Sequence, residues 1–193
     1  MNRNVNETEN IKKSYRLGVI VGRFQDLHKG HEMIISKAVE LCDEVGVFIG
    51  SAQESGTNKN PFPYELREEL LRNVFGDRIR IYPLPDMGLG NVPAWGDFVL
   101  WNVSERFGRY PDLLISGKEG RRIDWFDNAA RLAISELYVP KSIDISGTRM
   151  REMFLNDEEE EWRKYTNPAN WHEYGKLREL FLLAKDRTET NSI

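Results

Sequence analysis

The stretch from Leu17 to Cys42 restricts the possible folds of this chain more than any other. Leu17-Gly-Val-Ile-Val-Gly22 is a short β-branched run bounded by glycines, and it is followed closely by His28-Lys-Gly-His31. Apolar residues then fall at positions 34, 35, 38, 41 and 42. The first run has the composition of a central parallel strand, buried on both faces. The second has the spacing of a helix with one apolar face. A helix start offers unpaired N–H groups and the positive end of the helix dipole, which suits a phosphate. Gly30 permits a close approach between backbone and ligand that a Cβ would block. Arg23, just past the strand, adds a planar fork of donors matched to phosphate oxygens. These residues describe a nucleotide site.

The rest of the chain repeats the alternation. Strands are predicted over 44–50, 79–84, 112–117 and 136–139, with helices over 64–75 and 95–107 and a short crossing segment over 121–126. The chain turns helical again from 146, and a last amphipathic helix is expected over 170–183. The fold class is α/β, a doubly wound, Rossmann-like parallel sheet with a helical C-terminal extension. One domain is expected over 15–185, with residues 1–14 a loose polar tail and 186–193 a second tail. In such sheets ligands bind beyond the carboxyl ends of the strands. The segments 22–31, 51–63, 85–95, 117–122 and 144–151 all follow predicted strands.

Composition narrows the partners. With 193 residues and 40% hydrophobic content, the chain can bury one sizeable core. A net charge of −4 provides no global basic field for nucleic acid. No apolar run approaches the roughly 20 residues needed to span a bilayer, so no membrane association is expected. The polar N-terminus lacks the apolar stretch of a signal peptide, and a cytoplasmic location is expected. The single cysteine, Cys42, is placed on the apolar face of the first helix, as a buried residue in a reducing compartment. Asp157-Glu-Glu-Glu-Glu161 reads as a solvated acidic run rather than a metal site. His172 reads as structural, and Gly88-Leu-Gly90 as a turn.

Two motifs carry a resemblance. Gly22-Arg-Phe-Gln-Asp-Leu-His28-Lys-Gly30-His31 resembles the G-R-F-x-P-x-H-x-G-H motif of nucleotidylyltransferases. Ile145-Ser-Gly-Thr-Arg-Met-Arg151, about 115 residues on, resembles their I-S-x-T-x-x-R motif. Asp26 stands where that family has proline, so the turn must be held by other means. The resemblance implies transfer of a nucleotidyl group from a nucleoside triphosphate, an in-line displacement that needs positioning and charge neutralisation. It assigns catalysis to His28, His31, Arg23 and Arg151. It assigns ATP and phosphate binding to Gly22, Phe24, Gly30, Ser146, Gly147, Thr148 and Lys118. Ser146 and Thr148 are expected to cap a second helix whose N–H groups, with Arg151, hold the β- and γ-phosphates. Mg²⁺ is expected to bridge phosphate oxygens, so no protein metal ligands are assigned.

Further stretches are similar to archaeal-type nicotinamide-mononucleotide adenylyltransferases. Gly50-Ser-Ala-Gln-Glu-Ser-Gly-Thr-Asn-Lys-Asn-Pro-Phe62 is similar to their G-S-A-Q-x-S-H-T-x-x-N-P-F, with Arg67 following; Gly56 replaces a histidine. Pro85-Asp86 with Asn91 and Trp95 is similar to their nicotinamide-recognising segment, in a loop about one residue longer that carries Pro93. Ser116-Gly-Lys118 is similar to their S-G-N loop. The resemblance implies ATP and nicotinamide mononucleotide as substrates and a homo-oligomeric assembly. It places Ser51, Gln53, Asn60, Phe62, Arg67, Asp86, Asn91 and Trp95 around the acceptor. Trp95 offers a face to a cationic ring, and Asn91 a partner for its carboxamide. The alternatives are a different acceptor (nicotinate mononucleotide, pantetheine phosphate), a cytidylyl donor, or a nucleotide-sensing module without turnover.

Overall fold

A computed structural model describes residues 12–90 and 92–190 of the chain. Five parallel strands form one sheet: β1 (Tyr15–Gly22), β2 (Cys42–Gly50), β3 (Arg80–Leu84), β4 (Leu113–Ser116) and β5 (Ser135–Tyr138). Their order is β3-β2-β1-β4-β5. The chain winds outward from β1 to β3, returns to the other side of β1, and winds outward again. The switch point therefore lies between β1 and β4, where such sheets open a crevice.

Side chains alternate across β1 and β2 and feed two cores. Ile20, Val45, Val47 and Ile49 join a core with α1 (Lys29–Leu41), α2 (Tyr64–Phe75) and the C-terminal helices α6 (Gly147–Asn156), α7 (Glu159–Tyr165) and α8 (Tyr174–Thr190). Leu17, Val19 and Phe48 join the other, with α3 (Pro93–Phe107), α4 (Arg121–Trp125) and the region of α5 (Asn128–Ala133). Helices cover both faces of the sheet, and the expected doubly wound parallel architecture is what the chain adopts.

Three local differences have physical causes. Cys42 is not on the first helix but is the first residue of β2, where burial pushes its thiol up to about 11. Its apolar side chain continues the helical spacing by coincidence, and pairing with Tyr15 decides the matter. Lys13, placed by sequence in a loose tail, donates to Val39 O at 2.6 Å and to Cys42 O at 3.0 Å. A cation there satisfies carbonyls at the negative end of α1. The last helix begins at Tyr174 after a 3₁₀ turn over Pro168–Glu173, and it runs to Thr190, past the expected domain end at 185. The acidic run enters α7, with Glu159, Glu160 and Glu161 in its first turn and Arg163 and Lys164 in its last. That distribution complements the helix dipole.

Candidate active site

A cavity of about 610 Å³ opens at the switch point, walled by the residues that follow β1, β2, β3, β4 and β5. The turn after β1 is its floor. Phe24 and Ser51, just past β1 and β2, both adopt left-handed backbone with φ of 47° and 49°. Non-glycine residues rarely hold that conformation unless the surroundings impose it, and such outliers concentrate at functional sites. Phe24 is buried with its ring against Gly22, where an added Cβ would lie 3.0 Å from the ring. The same ring meets His31 edge-on at 5.1 Å. Gly30 is required for a similar reason, since a Cβ there would lie 3.0 Å from His28 Nδ1.

His28 and His31 flank the start of α1 and stack at 3.8 Å between ring centroids, only 18° from parallel. Burial lowers the His28 pKa to about 4, and the charge of Lys141 acts in the same direction. Burial holds His31 well below its usual value, reinforced by the charge of His28. Both imidazoles are thus neutral at pH 7 without a ligand. His28 Nδ1 is buried with no hydrogen-bond partner, an atom that a ligand would satisfy.

Across the cavity, Ser146 caps α6 by accepting from Arg149 N at 3.2 Å. Thr148 lies inside the helix rather than capping it, and its Oγ1 accepts from the Arg151 guanidinium at 3.2 Å. That bond steadies the Arg151 side chain. Burial lowers the Arg151 pKa, and so does the neighbouring charge of Arg23. Two guanidiniums thus share one space with no carboxylate paired to either among the described residues. Lys59, Lys118, Arg121 and Lys141 add further cations around the same space, against the carboxyls of Asp26 and Asp86. In a chain of net charge −4, six of the 27 lysines and arginines line this one cavity, and such a focus attracts anions.

The cavity brings together Gly22, Arg23, Phe24, His28, Gly30, His31, Lys118, Gly147 and Arg151, with Ser51, Asp86 and Trp95 from the expected acceptor set. Trp95 is half-buried, edge-to-face with Trp125 at 6.4 Å. Asn91 lies outside the described residues. Four other residues expected around the acceptor, Gln53, Asn60, Phe62 and Arg67, are not among those that wall the cavity. Gln53 clasps the Asp86 backbone, donating to its O and accepting from its N at 3.0 Å each. Asn60 is fully buried, its Oδ1 accepting from Arg23 at 3.3 Å and from Gln25 at 3.2 Å. Phe62 is core, edge-on to Phe154 at 6.1 Å, because an apolar ring after the loop finds α6 before it finds the cavity.

Arg67 is the clearest correction. It is fully buried, and its guanidinium donates to the carbonyls of Arg23 and Gly50 at 2.9 Å and of Ser51 at 3.1 Å. Its pKa falls to about 10 through burial. A cation in that position needs acceptors, and the ends of β1 and β2 supply them. It ties the turn after β1 to the loop after β2 and is not among the residues that wall the cavity.

Sequence reading missed Lys59, Arg121 and Lys141 as cavity residues. All three follow strands or lie in loops at the carboxyl edge, and that placement is the signal available for them. Among the described residues no group of three His, Cys, Asp or Glu side chains is arranged to hold a metal. Of the two cavity carboxyls, Asp26 is hydrogen-bonded to Trp162, and Asp86 accepts from Ser51 Oγ at 3.2 Å and Gly88 N at 2.9 Å.

A parallel sheet with a glycine turn, two helix-start histidines and two arginines at its switch point places this chain among α/β proteins of the doubly wound class. The cytidylyltransferase-like family model matches residues 19–119, slightly over half of the chain, and the chain belongs to that family. It is similar to the nicotinamide-nucleotide adenylyltransferase of Saccharolobus solfataricus, 40% identical over 88 residues that cover 42% of this chain and 50% of that one. The Pyrococcus horikoshii enzyme of the same name is 40% identical over 87 residues, 42% of this chain and 46% of that one. The chain spans about half the length of the curated relatives it matches. In fold it is similar to a bifunctional NMN adenylyltransferase/ADP ribose pyrophosphatase from Francisella tularensis, with TM-score 0.73 and 21% identity over 92% of this chain and 55% of that one. A second structure of that protein, in complex with AMP and a manganese ion, gives a TM-score of 0.72 at 21% identity, over 92% of this chain and 54% of that one.

Proposed function

We propose that this protein transfers the adenylyl group of MgATP to nicotinamide mononucleotide, forming NAD and releasing pyrophosphate. The observation that carries this reading is the meeting of Arg23 and Arg151, with no carboxylate, beside two stacked neutral histidines at a helix start. Two arginines that no carboxylate pairs among the described residues, beside two helix-start histidines, suit a triphosphate. In this reading a phosphate oxygen of the acceptor attacks the α-phosphorus, a new P–O bond forms, and the bond to pyrophosphate breaks in line. His28 and His31 hydrogen-bond the phosphoryl oxygens as charge moves onto the leaving group. Arg151, steadied by Thr148, holds the β- and γ-phosphates, with Lys118, Arg121 and Lys141 in reach of the same charge.

The acceptor side is supported by Trp95, Asp86 and Ser51, which line the cavity on the β2 and β3 side. Trp95 presents an aromatic face suited to a cationic nicotinamide ring, an interaction on the order of 0.5–2 kcal/mol. The relatives named for this activity support the same choice of acceptor. The proposal extends to Mg²⁺ as the nucleotide's ion and to a cytoplasmic, homo-oligomeric enzyme. No described helix is long and apolar enough to cross a membrane. Exposed Trp101, Ile123 and Leu132 supply apolar surface for assembly.

The test is incubation with ATP, Mg²⁺ and a panel of acceptors, read by pyrophosphate release. Turnover with nicotinamide mononucleotide above nicotinate mononucleotide and pantetheine phosphate is expected. Trp95→Ala should then weaken that acceptor about ten- to thirtyfold, through the ring contact and lost apolar area, and leave ATP affinity unchanged. Turnover with another acceptor alone would move the assignment to that acceptor, and ATP binding without turnover would make the protein a sensor.

A further inference from the structure

The turn between β1 and α1 contains a group that adenylyl transfer does not by itself require. Asp26 is buried, and its Oδ2 accepts a hydrogen bond from Trp162 Nε1 at 3.1 Å. Trp162 comes from α7, 136 residues away, fully buried against Phe154 and Tyr174. The backbone oxygen of the same Asp26 meets His31 Nδ1 at 3.1 Å. A carbonyl has lone pairs and no proton, so Nδ1 must carry the hydrogen of that bond. Nε2 is then the nitrogen left for a phosphate, to which it can donate once the ring takes up a second proton.

We propose that Asp26 is a positioning residue. Anchored by Trp162, it holds in place the carbonyl that sets the tautomer and orientation of His31. The inference rests on the nucleotidyl-transfer reading of the site. A proline in the turn fixes its own φ, whereas an aspartate does not. Here the constraint comes from outside the turn, through a carboxyl that reaches into the C-terminal helical layer. The indole N–H gains a buried acceptor, the carboxyl gains a donor, and neither can move without leaving the other unsatisfied. The helices α6 to α8 thereby become part of the support of the catalytic turn. A tie of purely structural effect would lower stability and leave the histidine and the chemistry as they are.

The experiment compares Asp26→Ala, which removes the acceptor, with Asp26→Asn, whose amide oxygen can still accept from the indole, and with Trp162→Phe, which keeps the ring and removes the donor. Nitrogen-15 NMR of labelled histidine in the ligand-free protein reads the tautomers directly, and pyrophosphate release reads kcat and KM. In the wild type His31 should carry its proton on Nδ1. Asp26→Ala and Trp162→Phe should populate both tautomers and lower kcat about 10- to 100-fold, as for loss of an orienting partner, with the KM for ATP within about threefold. Asp26→Asn should restore the Nδ1–H tautomer and most of kcat. If Asp26→Ala does not fold, Trp162→Phe and Asp26→Asn decide the matter on the same readouts. An unchanged His31 tautomer in a folded Asp26→Ala or Trp162→Phe protein overturns the proposal, as does an equal kcat loss in the Asn and Ala variants. If the wild type releases no pyrophosphate with any acceptor while the tautomer still shifts, the nucleotidyl-transfer reading fails and the positioning geometry stands.

Discussion

His31 is held on three sides: by the His28 ring, by the Phe24 edge and by the Asp26 carbonyl. Its protonation then becomes part of ligand binding. Without ligand, burial and His28 keep it neutral. A triphosphate brings several negative charges into the same space and favours the imidazolium, which gives Nε2 a proton to donate. ATP binding at pH 7 should therefore take up a proton. Calorimetry in buffers of different ionisation enthalpy checks this, and a buffer-independent binding enthalpy would show that the histidines stay neutral. In the transition state the same donor matters more than in the ground state. His31→Ala should cut kcat by roughly a hundred- to a thousandfold, with little change in Tm, because the ring lines the cavity and its loss enlarges that open space. A folded His31→Ala protein with near wild-type turnover would remove His31 from the chemistry.

At the scale of elements, the two sides of the cavity are set by how closely helices approach. Gly96 in α3 lies against the end of α4, and a Cβ there would fall 1.7 Å from the carbonyl oxygen of Trp125. That contact is backbone to backbone, so no side-chain rotation relieves it. It brings Trp125 edge-on to Trp95 and sets Arg121, whose guanidinium lies 5.2 Å from the Trp125 ring centre, beside the cavity. Gly96→Ala should destabilise the protein by about 1–3 kcal/mol or more through forced separation of α3 and α4. Urea unfolding measures the loss, and an unchanged midpoint would show that the helices were free to part. On the opposite side, α6 is started by Ser146, a cap of about 1 kcal/mol. The capping signal was legible in Ile145-Ser-Gly-Thr148, whereas the role of Thr148 in steadying Arg151 depends on which face of the finished helix it occupies.

At the scale of the whole molecule, two groups in one turn make stability depend on pH in opposite directions. Burial raises the Asp26 carboxyl to about 7, so the folded protein binds a proton that the unfolded chain releases near its ordinary value of 3.8. That contribution is complete below about pH 4 and is lost as pH rises through about 7. Burial lowers His28 from 6.5 to about 4, so the unfolded chain takes up a proton first as pH falls from about 6.5, and stability declines over that range. Among the described residues the Asp26 carboxyl accepts from the Trp162 indole of α7, which does not titrate, and the Asp26 carbonyl meets His31 on its own turn. The stability of the wild type relative to Asp26→Asn should therefore fall steadily between about pH 4 and pH 7. Urea unfolding across that range is the measurement, and a flat difference would mean that the carboxyl is ionised throughout.

The sequence by itself determined the parallel sheet, the glycine turn after β1 and the start of α6. Each of these is written in contiguous residues whose periodicity or close spacing acts locally. It placed Cys42 on a helix because an apolar residue at a helix–strand border satisfies both periods, and only pairing with Tyr15 separates them. The tertiary structure alone decided which motif residues touch the cavity and which hold it open. Arg67 serves carbonyls up to 44 residues away, Asn60 holds an arginine 37 residues back, and Asp26 meets an indole 136 residues on. A buried polar group must be satisfied by whatever backbone or side chain the fold delivers to it, and no spacing along the chain records which partner arrives.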